Sequence, residues 1–167
     1  APTADLTQTP TSWTNDDVTL KLTNIKDIGS GYYRTKLPDG TFSTSTNIEY
    51  KVQSNGKYSF VIYDDVGNST TKSIEVKNID KTKPTAALSY STLEETSEDV
   101  IITVTAKDNE SGVKSIRLPN GIVTTHSTVS YTVSDNGTYN FIVSDHAGNS
   151  TTITAKVENI YKAPPRL

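Results

Sequence analysis

Short runs in which apolar and polar residues alternate recur along the whole chain. In residues 18–23 a valine and two leucines alternate with threonine and lysine, and residues 48–52, 58–62 and 74–76 contain similar runs. Because side chains alternate between the two faces of a strand, this period of two predicts half-buried β-strands. Thr35 and Leu37 supply a further middle strand. No segment sustains a helical period, so the chain is predicted to be all-β.

The pattern is present in two copies. Residues 27–71 return as residues 108–152, 81 positions later, with the same turn residues and similar apolar positions. Upstream of this block the copies lie 82 positions apart, so the first copy has one extra residue near Asn24–Lys26. A long, fixed period indicates copies of one folding unit.

Glycine-containing turns separate the predicted strands. Pro-Asp-Gly at 38–40, Asn-Gly at 55–56 and Gly-Asn at 67–68 are strong turn combinations, and each has a counterpart in the second copy. About seven short antiparallel strands per copy, interrupted by such turns, are typical of a β-sandwich.

One tyrosine in each copy narrows this prediction. Tyr58 and Tyr139 follow the Asn-Gly turn and stand two residues before Phe60 and Phe141. In an immunoglobulin-like sandwich a tyrosine at this place hydrogen-bonds back across a corner, two residues before a cysteine. The phenylalanines would replace that cysteine by apolar packing. The alternative is that these tyrosines are ordinary core aromatics with a solvated hydroxyl.

Length and composition fit this organisation. The 167 residues allow two small domains of about 80 residues, which we place at residues 1–80 and 81–162, with a proline-rich tail at 163–167. The chain has no cysteine, so neither disulfides nor thiolate metal sites can hold the fold. A net charge of −3 gives no attraction to nucleic acid, and no apolar run is long enough for membrane insertion.

The connector between the two predicted domains is short. Only residues 78–84 separate the last strand of the first domain from the first strand of the second, and they contain no glycine. Pro84 restricts its own backbone and that of the residue before it. A short connector without glycine predicts two domains arranged end to end, as in a stalk.

Several segments resemble bacterial Ig-like repeats. They are Ser12–Val18, Asn78–Pro84, Asn136–Tyr139 and Asp145–Thr152. The resemblance covers both copies and implies two tandem immunoglobulin-like β-sandwich domains from an extracellular, cell-surface or secreted modular protein, such as a Gram-positive adhesin. It implies a monomeric, non-catalytic stalk, spacer or adhesion segment. Its partners would be neighbouring modules of the same polypeptide, or a host or cell-wall protein or glycan. The alternative is a carbohydrate-binding accessory module of a secreted glycan-active enzyme.

Acidic residues lie in loops that an immunoglobulin-like topology brings to the end where the chain enters each domain. For the second domain these are Asp108, Glu110, Asp145 and Asn149, with Asp80 in the connector. Such oxygen donors suit calcium, which takes roughly six to eight of them, so an interdomain calcium ion is one hypothesis. The alternative is that each aspartate caps its own turn by accepting backbone N–H groups. No other cofactor is predicted.

Exposed aromatic residues suggest a second kind of site. The tyrosines that fall at strand ends or off the alternation are Tyr32, Tyr33, Tyr63, Tyr90 and Tyr161. Trp13, the single tryptophan, has no counterpart in the second copy, where Leu93–Thr96 takes its place. Exposed rings could stack on sugar faces, which makes Trp13 the candidate ligand-binding residue. The alternative is that Trp13 packs against its own sandwich or at the domain joint.

No catalytic residue is predicted. The two histidines, His126 and His146, fall in loops of the second copy. The sequence contains neither a nucleophile-elbow pattern nor a glycine-rich phosphate loop.

Overall fold

A computed structural model describes residues 1–162 of the chain, and the predicted tail at residues 163–167 lies outside them. The chain divides into two compact units, Ala1–Asp80 and Lys81–Leu167, here called unit 1 and unit 2. The described residues form strands, turns and loops without a helix. Accordingly, the described part of the chain contains no helix that could cross a membrane.

Unit 1 is built from seven strands. They are β1 (Thr3–Thr9), β2 (Val18–Lys26), β3 (Tyr32–Lys36), β4 (Phe42–Ser43), β5 (Ile48–Val52), β6 (Gly56–Asp64) and β7 (Ser69–Val76). One sheet has the order β1–β2–β5 and the other the order β4–β3–β6–β7. Every pairing in the two sheets is antiparallel.

Unit 2 repeats this arrangement. Its strands are β8 (Thr85–Tyr90), β9 (Val100–Lys107), β10 (Val113–Arg117), β11 (Val123–Thr124), β12 (Thr128–Val133), β13 (Gly137–Asp145) and β14 (Ser150–Val157). The sheets have the orders β12–β9–β8 and β11–β10–β13–β14, again all antiparallel. The prediction of two tandem sandwiches with about seven strands each is confirmed.

The core of each unit lies between its two sheets. In unit 1, Leu20 of β2 and Phe60 of β6 are fully buried in one cluster. The Tyr50 ring meets the Phe60 ring edge to face, with centroids 5.9 Å apart. Unit 2 buries Ile102 and Phe141 in the same way. Burying each such side chain contributes about 1.5–3 kcal/mol. Apolar packing between the sheets thus stabilises each unit without a disulfide.

The predicted tyrosine corner is present in both units. The hydroxyl of Tyr58 donates to the carbonyl oxygen of Ser54 at 2.6 Å, and Tyr139 donates to the carbonyl of Asp135 at 2.6 Å. Each bond spans four residues and ties the start of the long sixth strand to the turn before it. This contact is a feature of immunoglobulin-like sandwiches.

The extra residue of the first copy forms a β-bulge. Thr3 pairs with Lys26 and Asp5 with Thr23, so Ala4 alone stands opposite two residues, and the pairing shifts by one. Asn24 takes up the extra length with a positive φ of 53°. Asparagine tolerates this left-handed conformation better than most residues, and its side-chain amide donates to Asp5 Oδ2 at 2.7 Å. In unit 2 the β8–β9 pairing has no such shift.

The alternation does not identify four of the strands, and it predicts that the middle strand of unit 1 extends one residue further than it does. These strands are β1 and β8, together with the two-residue strands β4 and β11. Strand β1 buries only one residue, Ala4, so its sequence carries little apolar signal. The middle strand β3 ends at Lys36, because Leu37 already belongs to the following turn, where it accepts the Gly40 N–H at 2.9 Å.

Candidate functional site

The two acidic loops of unit 2 lie side by side at the end where the chain enters. The His146 N–H donates to the Gly112 carbonyl at 3.1 Å, which joins the β9–β10 loop to the β13–β14 loop. Asp108 belongs to the first loop and Asp145 is the last residue of β13, and a carboxylate oxygen of one lies within 4.8 Å of a carboxylate oxygen of the other. The expectation that these two loops meet is confirmed.

Each of these carboxylates caps its own turn. Asp108 Oδ2 accepts the Gly112 N–H at 2.8 Å. Asp145 is almost fully buried, and its Oδ1 accepts the N–H groups of Ala147 and Asn149, both at 2.9 Å. Its Oδ2 accepts the Asn149 side-chain amide at 2.9 Å. Both oxygens of Asp145 are therefore engaged, as the turn-capping interpretation predicts.

Unit 1 contains the same two caps. Asp27 Oδ2 accepts the Gly31 N–H at 2.9 Å. Asp64 Oδ1 accepts the N–H groups of Val66 and Asn68 at 3.1 and 2.8 Å, and Oδ2 accepts the Asn68 side-chain amide at 2.9 Å. Burial raises the pKa of Asp64, but the hydrogen bonds from Asn68 and Val66 outweigh burial and hold that pKa below its ordinary value.

The remaining calcium candidates are Asp80 and Glu110. Asp80 is the last residue of unit 1, and its N–H donates to the Thr14 carbonyl at 2.8 Å. Glu110 is exposed, and its Oε1 accepts the Thr82 hydroxyl at 3.2 Å. The interdomain calcium ion stays a prediction, and calorimetric titration of the metal-free protein tests it.

Trp13 lies in a segment that holds the end of unit 1. Its neighbour Thr14 forms a parallel bridge with Ile79. The Asn78 side-chain amide donates to the carbonyls of Pro10 and Ser12 at 3.0 and 2.7 Å. Trp13 itself is 39% exposed. Its indole is thus partly available to a ligand while its backbone belongs to a tightly bonded segment.

Residues 78–80 are bonded to residues 10–14 and to Asn55, and we call this arrangement the exit clasp of unit 1. The Asn55 side chain both donates to the Ile79 carbonyl at 2.8 Å and accepts the Ile79 N–H at 2.9 Å. It therefore bonds to the backbone of Ile79 as a neighbouring strand would.

The exit clasp of unit 2 consists of residues 159–161, residues 92–96 and Asn136. Asn159 donates to the carbonyls of Thr92 and Glu94 at 3.1 and 2.8 Å. Asn136 exchanges two bonds with Ile160, at 2.8 and 2.9 Å. Thus the clasp is kept although Leu93–Thr96 replaces the tryptophan segment.

Neither histidine is buried. His126 and His146 are both exposed, and the carboxylates of Asp64 and Asp145 accept turn N–H groups. A surface depression of about 290 Å³ in unit 1 is lined by Gln8, Thr11, Glu75, Lys77 and Asn78, which include no histidine or cysteine.

A cluster that the alternation did not predict lies on unit 1. The guanidinium carbon of Arg34 stands 3.7 Å from the ring centre of Phe42 and 4.9 Å from that of Tyr33. Both rings are about half exposed, at 46% and 49%. We call Tyr33, Arg34 and Phe42 the aromatic–arginine cluster. Aligning the two copies would have identified it, because the matching residues of unit 2 are neither aromatic nor arginine.

The other off-pattern tyrosines are exposed to different degrees. Tyr63 is partly buried. Tyr161 is 68% exposed. Tyr32 and Tyr90 instead pack against the cores of their units. The Tyr32 hydroxyl also bonds with Thr35 Oγ1 at 2.8 Å. Position relative to the alternation therefore does not by itself identify exposed rings.

Comparisons with known proteins show similarity to solved structures only. No protein-family model matches the chain, and no curated protein matches it. One solved structure, described as concerning the promiscuous specificity of carbohydrate-binding modules from the β-sandwich superfamily, is 16% identical with a TM-score of 0.39. The match covers 92% of this chain and 83% of the other. A similarity of this strength carries no argument about function.

Proposed function

We propose that the chain is a non-catalytic spacer or adhesion segment of an extracellular, cell-surface or secreted modular protein, in which each unit adds length and bears tension. The observation that carries this proposal is the path of the chain through each unit. The chain enters beside the start of the last strand and leaves beyond the end of that strand, through a clasp.

The entry and exit points of unit 1 are fixed by hydrogen bonds. The Thr70 hydroxyl, near the start of β7, donates to the Pro2 carbonyl at 2.6 Å. At the other end of β7, Gln8 Nε2 donates to Asn78 Oδ1 at 3.0 Å. Strands β1 and β7 therefore run in the same direction, and the eight residues of β7 span about 25 Å. Each such unit lengthens a chain by at least this distance.

Unit 2 has the same path. The Thr151 hydroxyl donates to the Pro84 carbonyl at 2.7 Å beside the start of β14, and Asn159 beyond its end bonds the Thr92 carbonyl. The parallel bridges Thr14–Ile79 and Thr96–Ile160 close the two clasps. In unit 1 several hydrogen bonds join residues 78–80 to residues 10–14, so a pull on the exit segment is shared among them. This geometry resists force and suits a spacer.

Single-molecule force spectroscopy on the full chain tests this function. Pulling from the two termini should give two separate unfolding events, each releasing roughly 250 Å of chain, because forced unfolding follows the barrier of each unit. The Asn78→Ala variant should lower the force of one event and leave the other unchanged. Unfolding in one merged step, or at forces too low to resolve, would contradict a tension-bearing role.

Carbohydrate binding is the second candidate function. It is favoured by the exposed aromatic residues of unit 1, including Trp13, at positions where unit 2 has no aromatic residue. A glycan array probed with the wild type and with Trp13→Ala tests the contribution of this side chain. Loss of a glycan signal in the variant supports a site at Trp13, and an unchanged signal places the site elsewhere.

A further inference from the structure

The aromatic–arginine cluster lies on the outer face of the four-stranded sheet of unit 1. Arg34 pairs with Tyr63 of β6. The next residue, Thr35, pairs with Ile62 of β6 and with Ser43 of β4. Thr35 is fully buried, so alternation directs Arg34 and Lys36 away from the core. Phe42, from the short strand β4, pairs with Lys36 and covers the guanidinium of Arg34.

The guanidinium of Arg34 contacts the rings of Tyr33 and Phe42. Within residues 1–162 it forms no hydrogen bond or ion pair, and its Nε is buried without a partner. A polar atom buried without a partner is rare in folded proteins, because its lost hydration is not replaced. The two rings hold the cation by cation–π contact, which leaves its N–H donors uncommitted. The cluster therefore presents the terminal N–H groups of Arg34, which have no partner within residues 1–162, while the Nε is buried.

The fold does not need this cluster. At the matched positions of unit 2, Tyr33 is replaced by Lys114, Arg34 by Ser115 and Phe42 by Val123. Both units nevertheless form the same strand pairings, including the irregular register at the start of the middle strand. Side chains that one copy of a fold has and the other lacks are not required for folding, which favours a role in binding.

The ligand chemistry follows from the groups present. A planar guanidinium with free donors matches a carboxylate, which it can bind through two parallel hydrogen bonds. The exposed parts of the Tyr33 and Phe42 rings offer flat apolar surface next to it. Lys36 adds a second positive charge on the same face, and the Ser59 and Ser73 hydroxyls, 2.8 Å apart, add polar groups farther across the sheet.

A sugar chain fits this surface better than an acidic peptide does. Peptides bind sheets mainly by adding a strand to a free edge, or bind in grooves. Strand β3 is already paired on both sides, with β4 and β6, so its backbone offers no free edge. We infer that the aromatic–arginine cluster of unit 1 binds a carboxylate-bearing polysaccharide, with Arg34 on the carboxylate and the rings against the sugar faces. This inference rests on the second candidate function and specifies its site and ligand class.

Calorimetric titration of the full chain with an oligosaccharide of galacturonic acid tests the inference. Binding should weaken as salt is added. Arg34→Gln should reduce affinity at least about tenfold, and Arg34→Lys should cause a similar loss, because lysine keeps the charge but not the paired donors. The matched control is Arg117→Gln in unit 2, which corresponds to Lys36 and should leave affinity unchanged.

A neutral glucose oligosaccharide and poly-glutamate complete the design. Both are expected to bind at least about tenfold more weakly than the acidic oligosaccharide. Equal binding of poly-glutamate would overturn the inference, because charge alone would then explain recognition. Binding of the neutral oligosaccharide alone would leave carbohydrate binding standing and overturn the role of Arg34. No binding of either oligosaccharide would also overturn it, while the spacer function would still be judged by force measurement.

A thermal melt of each variant separates binding from folding. Arg34→Lys should unfold within a few degrees of the wild type, since a cation–π contact at an exposed site contributes about 0.5–1 kcal/mol. Weakened binding with an unchanged melting temperature supports the inference. A loss of affinity seen only together with a collapse in melting temperature would assign Arg34 a structural role.

Discussion

Replacing Asn78 by alanine should destabilise unit 1 and leave unit 2 intact. The Asn78 side chain makes three hydrogen bonds: two donated to the carbonyls of Pro10 and Ser12, and one accepted from Gln8. Asn78 is 9% exposed, so water replaces these partners poorly after truncation. The partner groups belong to residues about 70 positions earlier in the chain, so the bonds form only in the folded unit.

The size of the effect follows from the number of bonds. A typical hydrogen bond contributes about 0.5–1.5 kcal/mol net, so the loss of three should cost about 3 kcal/mol. A unit of this length is stable by roughly 4–12 kcal/mol in total. The melting temperature of unit 1 should therefore fall by at least about 12 °C. Asn159 makes two such bonds in unit 2. Its replacement by alanine should lower the stability of unit 2 by about 2 kcal/mol.

The single tryptophan allows the two units to be followed separately. Trp13 lies in unit 1, so its fluorescence during urea unfolding reports that unit alone, while circular dichroism reports both. Asn78→Ala should lower the fluorescence midpoint without changing the denaturant dependence of the free energy. Asn159→Ala should leave the fluorescence midpoint unchanged and lower the midpoint of the unit 2 transition seen by circular dichroism.

Two results would refute this reasoning. An Asn78→Ala midpoint within about 0.5 kcal/mol of the wild type would show that the clasp contributes little to stability. An equal shift of both transitions would show that the effect is not confined to unit 1.

Further predictions concern the corner, the core, the bulge and the acidic turns. Tyr58→Phe should cost unit 1 about 1 kcal/mol by calorimetry, and Tyr139→Phe should cost unit 2 the same; a loss of less than about 0.3 kcal/mol in both would argue against the corner bond. Phe141→Ala should cost unit 2 about 3–5 kcal/mol in urea unfolding, because it leaves a cavity between the sheets. Asn24→Ala should cost about 1–2 kcal/mol through its left-handed backbone, whereas Asn24→Gly should cost less; the reverse order would contradict the bulge. The pKa of Asp64 is lower in the folded protein than its ordinary value of 3.8. The ionised carboxylate therefore stabilises the folded protein above pH 3.8, and this stabilisation is lost as the pH falls through the folded pKa. A pH series of unfolding midpoints should show this loss for the wild type and not for Asp64→Asn.

Local pattern was enough to predict most of the fold. Alternation identified β2, β5 and β6 because their apolar residues lie on one face, and Asn-Gly turns marked where strands end. The repeat gave the number of units, and the spacing of Tyr58 from Phe60 indicated the corner. Strands β1 and β4 were harder to assign, since an edge strand and a two-residue strand bury too little apolar surface to produce a clear pattern.

The candidate sites depended on contacts that the sequence does not display. The pattern of aspartates allowed both calcium binding and turn capping. Asp64 and Asp145 accept turn N–H groups, while calcium binding stays a prediction. Arg34 and Phe42 are eight positions apart, and their contact follows from the pairing of β3 with β4, which the alternation does not specify.

By itself, the sequence determined that this protein is a duplicated, cysteine-free, all-β chain, because period and turn chemistry are local properties of the residues. Tertiary structure decided which polar side chains are already bonded and which remain free. Asn78 is bonded to segments about 70 residues away, while Arg34 contacts two rings and its Nε has no hydrogen-bond partner among residues 1–162. Such outcomes depend on which distant segments pack together, and local alternation carries no information about that pairing.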